Sequence, residues 1–225
     1  MVKIFQLGTS ALTIEFSNDI SPETNDRVVL LADYFEAHKF PGFIETVPAY
    51  ASLTIFYDVS TVRTNFREFR TAFDALKSFA ENALQAATAI KRSNPRVVEI
   101  PVRFDEEFAP DLKFVAETNN LSAREAIEIF TNRIYRVYML GFLPGFAYMG
   151  EIDARIAAPR KSAPRLKVPA GSVGIAGRQT GIYPLASPGG WQIIGCTNIE
   201  LFTPNRENPT FLRAGDSVKF YEAKD

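Results

Sequence analysis

Between Gly141 and Thr197 the chain carries Arg155, Arg160, Lys161, Arg165, Lys167 and Arg178 against only Glu151 and Asp153. That is a local excess of four positive charges in a protein whose formal net charge is −1. A guanidinium presents a planar fork of N–H donors that meets a carboxylate or phosphate at two points. Arg160 and Arg165 are therefore candidates to bind an anionic ligand. Gln179, Thr180, Tyr183 and Trp191 in the same segment offer polar tips and aromatic faces suited to pocket walls. Gly171, Gly174, Gly177 and Gly181 would let backbone amides approach such a ligand. Each feature also has a plainer reading. Basic residues make solvated faces whose ion pairs contribute little, and glycines serve the turns of a barrel.

Most other chemistry is excluded by composition. The chain holds one histidine, His38, and one cysteine, Cys196. No Ser–His or Cys–His catalytic pair is expected in the second half, no zinc-type ligand set can be assembled, and no metal site is expected. A single cysteine also rules out an intrachain disulfide. There is no Walker A sequence and no G-x-G-x-x-G after a strand. Gly171-Ser172-Val173-Gly174 is not the G-x-S-x-G of a nucleophile elbow. A net charge of −1 gives no global field for nucleic acid. The N-terminus lacks the apolar stretch of a signal peptide, and no apolar run approaches the ~20 residues of a membrane span. A cytoplasmic protein that binds neither nucleic acid nor membrane is expected.

The elements that must position this segment follow from periodicity. Leu12, Ile14 and Phe16 alternate with polar residues as a half-buried strand, paired with Lys3–Leu7 across a turn at Gly8–Ser10. Ser21 suits a helix N-cap and Pro22 the first helical position, with an end near His38. Leu53, Ile55 and Tyr57 form a further strand, paired with Phe43–Val47. Phe66, Phe69, Phe73, Leu76, Ala80, Ala83, Ala87 and Ile90 recur at spacings of three and four, so one long helix is expected, capped by Asn65 and Glu68. Residues 1–92 thus read as a small α+β domain of β-β-α-β-β-α order, with a linker at Lys91–Arg96. Val97–Val102 reads as a strand and Pro110–Glu117 and Ala123–Phe130 as short helices, the second opened by a Ser122-x-x-Glu125 capping box. Ten of the 13 glycines and six of the 14 prolines fall between Gly141 and Thr197. Such punctuation predicts a compact β-barrel over residues 96–225, ending in a turn at Arg213–Asp216 and a strand at Ser217–Tyr221. The apolar residues of Gly141–Gly150 have the composition of a partner interface, and burial in the barrel itself explains them equally well.

Longer blocks carry a resemblance. Tyr135-Arg-Val-Tyr-Met-Leu-Gly-Phe-Leu-Pro-Gly-Phe-Ala-Tyr-Met-Gly150 is similar to the signature of the family of KipI and the 5-oxoprolinase B subunit, also called allophanate hydrolase subunit 1. So are Pro159-Arg-Lys-Ser-Ala-Pro-Arg-Leu-Lys-Val-Pro-Ala-Gly-Ser-Val-Gly-Ile-Ala-Gly177, Gln179-Thr-Gly-Ile-Tyr-Pro184 and Ser187-Pro-Gly-Gly-Trp-Gln-Ile-Ile-Gly195. Ala214-Gly-Asp-Ser-Val-Lys-Phe220 also fits, and Val47-Pro-Ala-Tyr50 matches more weakly.

The resemblance implies an α+β protein with a small N-terminal domain followed by a cyclophilin-like β-barrel. It implies one component of an ATP-dependent 5-oxoprolinase, which opens the 5-oxo-L-proline lactam to L-glutamate. The partners would be the C subunit of that enzyme, of the allophanate hydrolase subunit 2 type, and its A subunit. No cofactor is expected on this chain alone, and ATP is expected for the assembled enzyme. Arg160 and Arg165 would hold the carboxylate or a phosphate, Gln179 and Tyr183 would contact the lactam, and Trp191 would wall the pocket. The alternative is a KipI-type regulatory protein that inhibits autophosphorylation of a histidine kinase. The sequence departs from the family pattern at Phe130, where His is usual, at Phe104, where Tyr is usual, and at Cys196, where Arg or His is usual.

Overall fold

A computed structural model describes residues 2–87 and 95–223 of the chain. The chain divides into two compact units, residues 1–94 and 95–225. The expected linker falls mostly on residues 91–94, and Ile90 of the expected long helix on residue 90; both lie outside the described residues.

The first unit is a four-stranded antiparallel sheet backed by helices. Its strands are β1 (Lys3–Leu7), β2 (Ala11–Glu15), β3 (Phe43–Pro48) and β4 (Ser52–Tyr57), in the order β1-β2-β4-β3. Helix α1 (Pro22–Ala37) starts after Ser21, whose Oγ accepts the Thr24 N–H at 3.1 Å, and ends at the His38 cap. Its buried face repeats at helical spacing through Val28, Leu31, Ala32 and Phe35. It packs on strand residues Leu12, Ile14, Leu53, Ile55 and Tyr57, all of them buried. Asn25, fully buried on the same helix, donates from Nδ2 to the carbonyls of Ala49 and Tyr50 at 3.2 Å each. The Val47–Tyr50 block therefore holds α1 against the β3–β4 turn.

The expected long helix starts later than its spacing suggested, and a short helix that was not expected precedes it. Short α2 (Val59–Asn65) is capped by Asp58, and α3 (Ala72–Ala87) begins only after Thr71. The cap of α3 is Thr71 with Asp74: the Asp74 N–H donates to Thr71 Oγ1 at 3.1 Å and the Thr71 N–H to Asp74 Oδ2 at 3.0 Å. Asn65 and Glu68 do not cap it. Phe66 and Phe69 belong to the turn between the helices and pack on Phe79, with ring centroids 4.9 and 6.2 Å apart.

The second unit is a seven-stranded, nearly closed barrel. Its elements are β5 (Val97–Val102), α4 (Leu112–Thr118), α5 (Ala123–Thr131), β6 (Ile134–Leu140), β7 (Ala147–Gly150), β8 (Arg165–Val168), β9 (Ser172–Ala176), β10 (Gln179–Ile182), β11 (Ser187–Gly189), β12 (Gln192–Cys196) and β13 (Ser217–Glu222). The main sheet runs β12-β9-β10-β7-β6-β13-β5, with β13 and β5 its parallel pair, while β8 and β11 form a separate two-stranded antiparallel sheet. Its two edges meet beyond β5: the Arg103 N–H donates to the Cys196 carbonyl at 2.8 Å, and the Cys196 N–H to the Arg103 carbonyl at 3.0 Å. Closure removes the exposed edges that sheets otherwise carry. Inside lie Ile100, Val102, Tyr135, Val137, Met149, Val173, Ile175 and Phe220, joined by Leu112, Val115, Ile127 and Phe130 from α4 and α5. Helix α5 has the expected capping box between Ser122 and Glu125. Asp216 closes the turn before β13 by accepting the Arg213 N–H and the Arg96 guanidinium. No helix among the described residues is long and apolar enough to cross a membrane.

Candidate functional site

A cleft of about 280 Å³ opens on the outer side of the barrel sheet. Its aromatic floor comes from a second, smaller core of Phe146, Val168, Ala176, Tyr183, Trp191 and Ile193. Phe146 meets Tyr183 and Trp191 edge-on, with centroids 5.3 and 5.4 Å apart. Phe142 stands at the outer wall, 61% exposed, perpendicular to both Phe146 and Tyr183. Arg160 and Lys161 supply the charge, and Pro164, Gly189 and Gly190 complete the rim.

Backbone lacing holds this arrangement. The Lys161 N–H donates to the Gly190 carbonyl at 2.7 Å, and Gln192 Nε2 donates to the Pro159 carbonyl at 2.9 Å. The two strips that carry Arg160 and Trp191 are thus tied side by side, and the Arg160 guanidinium carbon lies 5.8 Å from the Trp191 ring centroid. Gly189 is required by packing, because a Cβ there would sit 2.4 Å from the Tyr183 hydroxyl oxygen.

The charges sort into paired and unpaired. Arg155 pairs with Asp153 at 2.9 Å and Arg178 with Glu151 at 2.6 Å. Arg165, behind the cleft lining, reaches Asp111 with 2.6 Å between its Nη2 and Oδ1 and donates from Nη1 to the Trp191 carbonyl at 3.4 Å. Lys161 Nζ shares that oxygen at 3.1 Å, and the Ile193 N–H donates to Oδ2 at 2.7 Å. Burial pushes the Asp111 carboxyl up, but Arg165, the Ile193 N–H and Lys161 together outweigh it and hold the group below its ordinary range. Arg160 is exposed and has no carboxylate within ion-pair distance among the described residues. The cleft therefore presents one free guanidinium and one shared ammonium above aromatic faces. Burial raises the Tyr183 phenol against the opposing pull of the Trp191 backbone and Arg160. It raises the Cys196 thiol likewise. Neither is a ready nucleophile near neutral pH. No cluster of His, Cys, Asp or Glu suited to a metal ion occurs among the described residues.

Of the residues singled out in sequence, the structure brings Arg160, Tyr183 and Trp191 together in the cleft. It does not bring Arg165 and Gln179 there. Arg165 is committed to Asp111, and Gln179 sits at the far end of β10, opposite Gly150 and Ala176. The glycines at 171, 174 and 181 press on Thr197, Trp191 and Phe146, so they serve packing rather than ligand approach. The glycines that border the cleft are Gly189 and Gly190. Sequence reasoning missed Asp111, whose partners lie 50, 54 and 82 residues away in the chain. Phe142, expected only as part of an apolar Gly141–Gly150 segment suited to a partner interface or to the barrel interior, stands on the cleft wall. The departures from the family pattern lie outside the cleft. Phe130 is buried and stacked on Phe220 beside Phe104, and Cys196 sits at the barrel closure.

This fold and this sequence define a class. The family model for the carboxyltransferase domain, subdomain C and D, matches residues 2–212, and the chain belongs to that family. Within it, the 5-oxoprolinase B subunit of Bacillus subtilis (strain 168) is 51% identical over 219 residues, covering 97% of this chain and 91% of that protein. The crystal structure of TTHA0988 superposes with a TM-score of 0.78 at 36% identity, covering 96% of this chain. This chain spans only 40% of the length of TTHA0988. The urea carboxylase of Kluyveromyces lactis shares the fold, with a TM-score of 0.73 at 20% identity over 99% of this chain and 22% of that one.

Proposed function

We propose that this chain is the B subunit of an ATP-dependent 5-oxoprolinase and completes a substrate site together with the C subunit. The observation that carries the reading is the 51% identity to a 5-oxoprolinase B subunit over nearly the whole of both chains. The cleft chemistry is consistent with it. 5-Oxo-L-proline is a flat five-membered lactam with a carboxylate, and Arg160 with Lys161 offers donors for the anion above Tyr183 and Trp191. The same donors suit the negative charge that the lactam oxygen gains on phosphorylation.

Ring opening breaks the lactam C–N bond and adds one water across it, the hydroxyl to the carbonyl carbon and the proton to nitrogen. A second water is consumed as ATP becomes ADP and phosphate. The cleft lining holds no histidine, cysteine or carboxylate to serve either step, so in this reading the chain binds and orients while its two partner proteins, the C and A subunits, supply the transfer chemistry. Such a division agrees with a relative in which an equivalent of this chain is fused to a longer remainder. In this reading the assembly works in the cytoplasm.

The test is reconstitution. The purified chain alone, its pair with the C subunit, and the mixture of all three proteins are assayed for glutamate and ADP. Turnover is expected only from the complete mixture. Robust turnover by the chain alone would overturn the shared-site reading. An inactive complete mixture, together with tight binding of the chain to a histidine kinase, would replace it with the regulatory one.

A further inference from the structure

The loop between β6 and β7 holds Phe142 in a conformation that a bulky residue adopts at a cost. Its φ is +66°, in the left-handed region, and the Leu143 N–H donates to the Gly141 carbonyl at 2.8 Å, so Phe142 is the apex of a three-residue turn. A side chain on such a backbone is strained. The surroundings enforce it. The Gly141 N–H donates to the Phe146 carbonyl at 3.1 Å and the Phe146 N–H to the Leu143 carbonyl at 3.0 Å. Gly145 is seated so closely on the Leu201 backbone that a Cβ would come within 2.9 Å of its carbonyl oxygen. Glycine or asparagine would relax the apex. A phenylalanine there places a largely exposed ring on the wall of the cleft, where it contributes little to the core.

The geometry points to Phe142 as a specificity-determining residue: its ring is the outer wall that selects a flat ring bearing an anionic group over an open-chain acid. The inference rests on the reading of this cleft as a substrate site. Phe142 stands at 88° to Phe146 and 90° to Tyr183 and is largely exposed, so ring surface is left for a ligand. A closed ring lies on that face with nothing left to freeze. An open-chain acid of similar size loses rotamer freedom to make equal contact. Arg160 and Lys161 offer donors to a carboxylate of either, so the part of the discrimination that Phe142→Gly removes is the part the wall supplies. The wall therefore favours a cyclic amide acid and releases the linear acid formed when the ring opens.

Trp191 is the chain's single tryptophan and lines the cleft, so its emission reports occupancy. The full chain is titrated with 5-oxo-L-proline, L-glutamate and benzoate, as wild type and as Phe142→Gly and Phe142→Tyr. Wild type is expected to bind 5-oxo-L-proline at least about tenfold more tightly than L-glutamate. Phe142→Gly should weaken 5-oxo-L-proline about tenfold and remove the discrimination, with a Tm within about 2 °C of wild type because strain relief offsets the lost contacts. Phe142→Tyr should bind as wild type. Retained affinity and discrimination in Phe142→Gly would overturn the inference, as would a Tm fall above about 5 °C, which marks a packing role. If wild type ignores 5-oxo-L-proline but binds benzoate in a Phe142-dependent way, the residue keeps its role and the substrate reading fails. If neither compound alters Trp191 emission, the inference falls.

Discussion

Arg160 and Arg165 share a residue type and a sequence block, yet their partners give them opposite duties. Arg160 is exposed beside Trp191, whereas Arg165 has one-quarter of its side chain exposed and an ion pair to a carboxylate that is 6% exposed. Arg165→Ala leaves Asp111 with Lys161 and one N–H, and breaking a pair buried to this degree costs about 2 kcal/mol, or roughly 4–8 °C in Tm for a chain of this size. Arg160→Ala should shift Tm by no more than about 1 °C while weakening anion binding by about 1.5–3 kcal/mol. Thermal melts and ligand titrations of the two variants separate the roles, and equal Tm values would refute the split. The Asp111 carboxyl adds a pH signature. Its folded pKa is lowered, so its stabilisation is complete above the ordinary carboxylate value of about 3.9 and is lost as pH falls through the folded value. Urea melts at pH 7 and pH 3 should show the gap between wild type and Asp111→Asn narrowing at the lower pH. A gap independent of pH would exclude the ion pair as its cause. Local spacing shows that guanidinium groups are abundant here. It cannot show which of them a distant carboxylate has already neutralised.

Elements were legible where one local pattern decides. The β1–β2 hairpin, the Ser21–Pro22 start of α1, the pairing of β3 with β4 and the capping box of α5 all follow from residues within a few positions of one another. The long helix expected from Phe66 onward is present from Ala72, and its start was misplaced for a physical reason. Phe66 and Phe69 are apolar because they pack on Phe79, and a turn can bring them there as well as a helix can. Spacing of three and four records which side chains face the core and leaves the backbone between them open. Thr71→Ala should therefore cost about 1 kcal/mol through loss of the α3 cap, while Glu68→Ala stays within about 0.5 kcal/mol. Chemical denaturation of the two variants measures the difference, and a larger loss for Glu68→Ala would place the helix start upstream. The barrel was legible as a class from its glycines and prolines. Its closure was not, since the parallel pairing of β13 with β5 and the Arg103–Cys196 bridge join residues far apart in the chain.

At the scale of the whole molecule, the two units have separate cores. The apolar cluster under the first sheet draws only on residues up to 94, and the barrel clusters only on residues from 95 onward. Every strand of the seven-stranded sheet, both halves of the closing bridge and the Arg96–Asp216 pair lie in the second unit. So does every residue that lines the cleft. A barrel of about 130 residues that supplies its own closure is within the size range at which single domains fold alone. The fragment spanning residues 95–225 should therefore fold without the first unit. It is expected to melt in one cooperative transition, to keep the emission of a buried Trp191, and to bind 5-oxo-L-proline within about threefold of the full chain. Circular dichroism, tryptophan emission and the same titration test all three on one sample. A fragment that aggregates or emits as an unfolded chain would show that the barrel depends on the first unit for its stability. A well-folded fragment with lost affinity would show instead that the first unit contributes to the site.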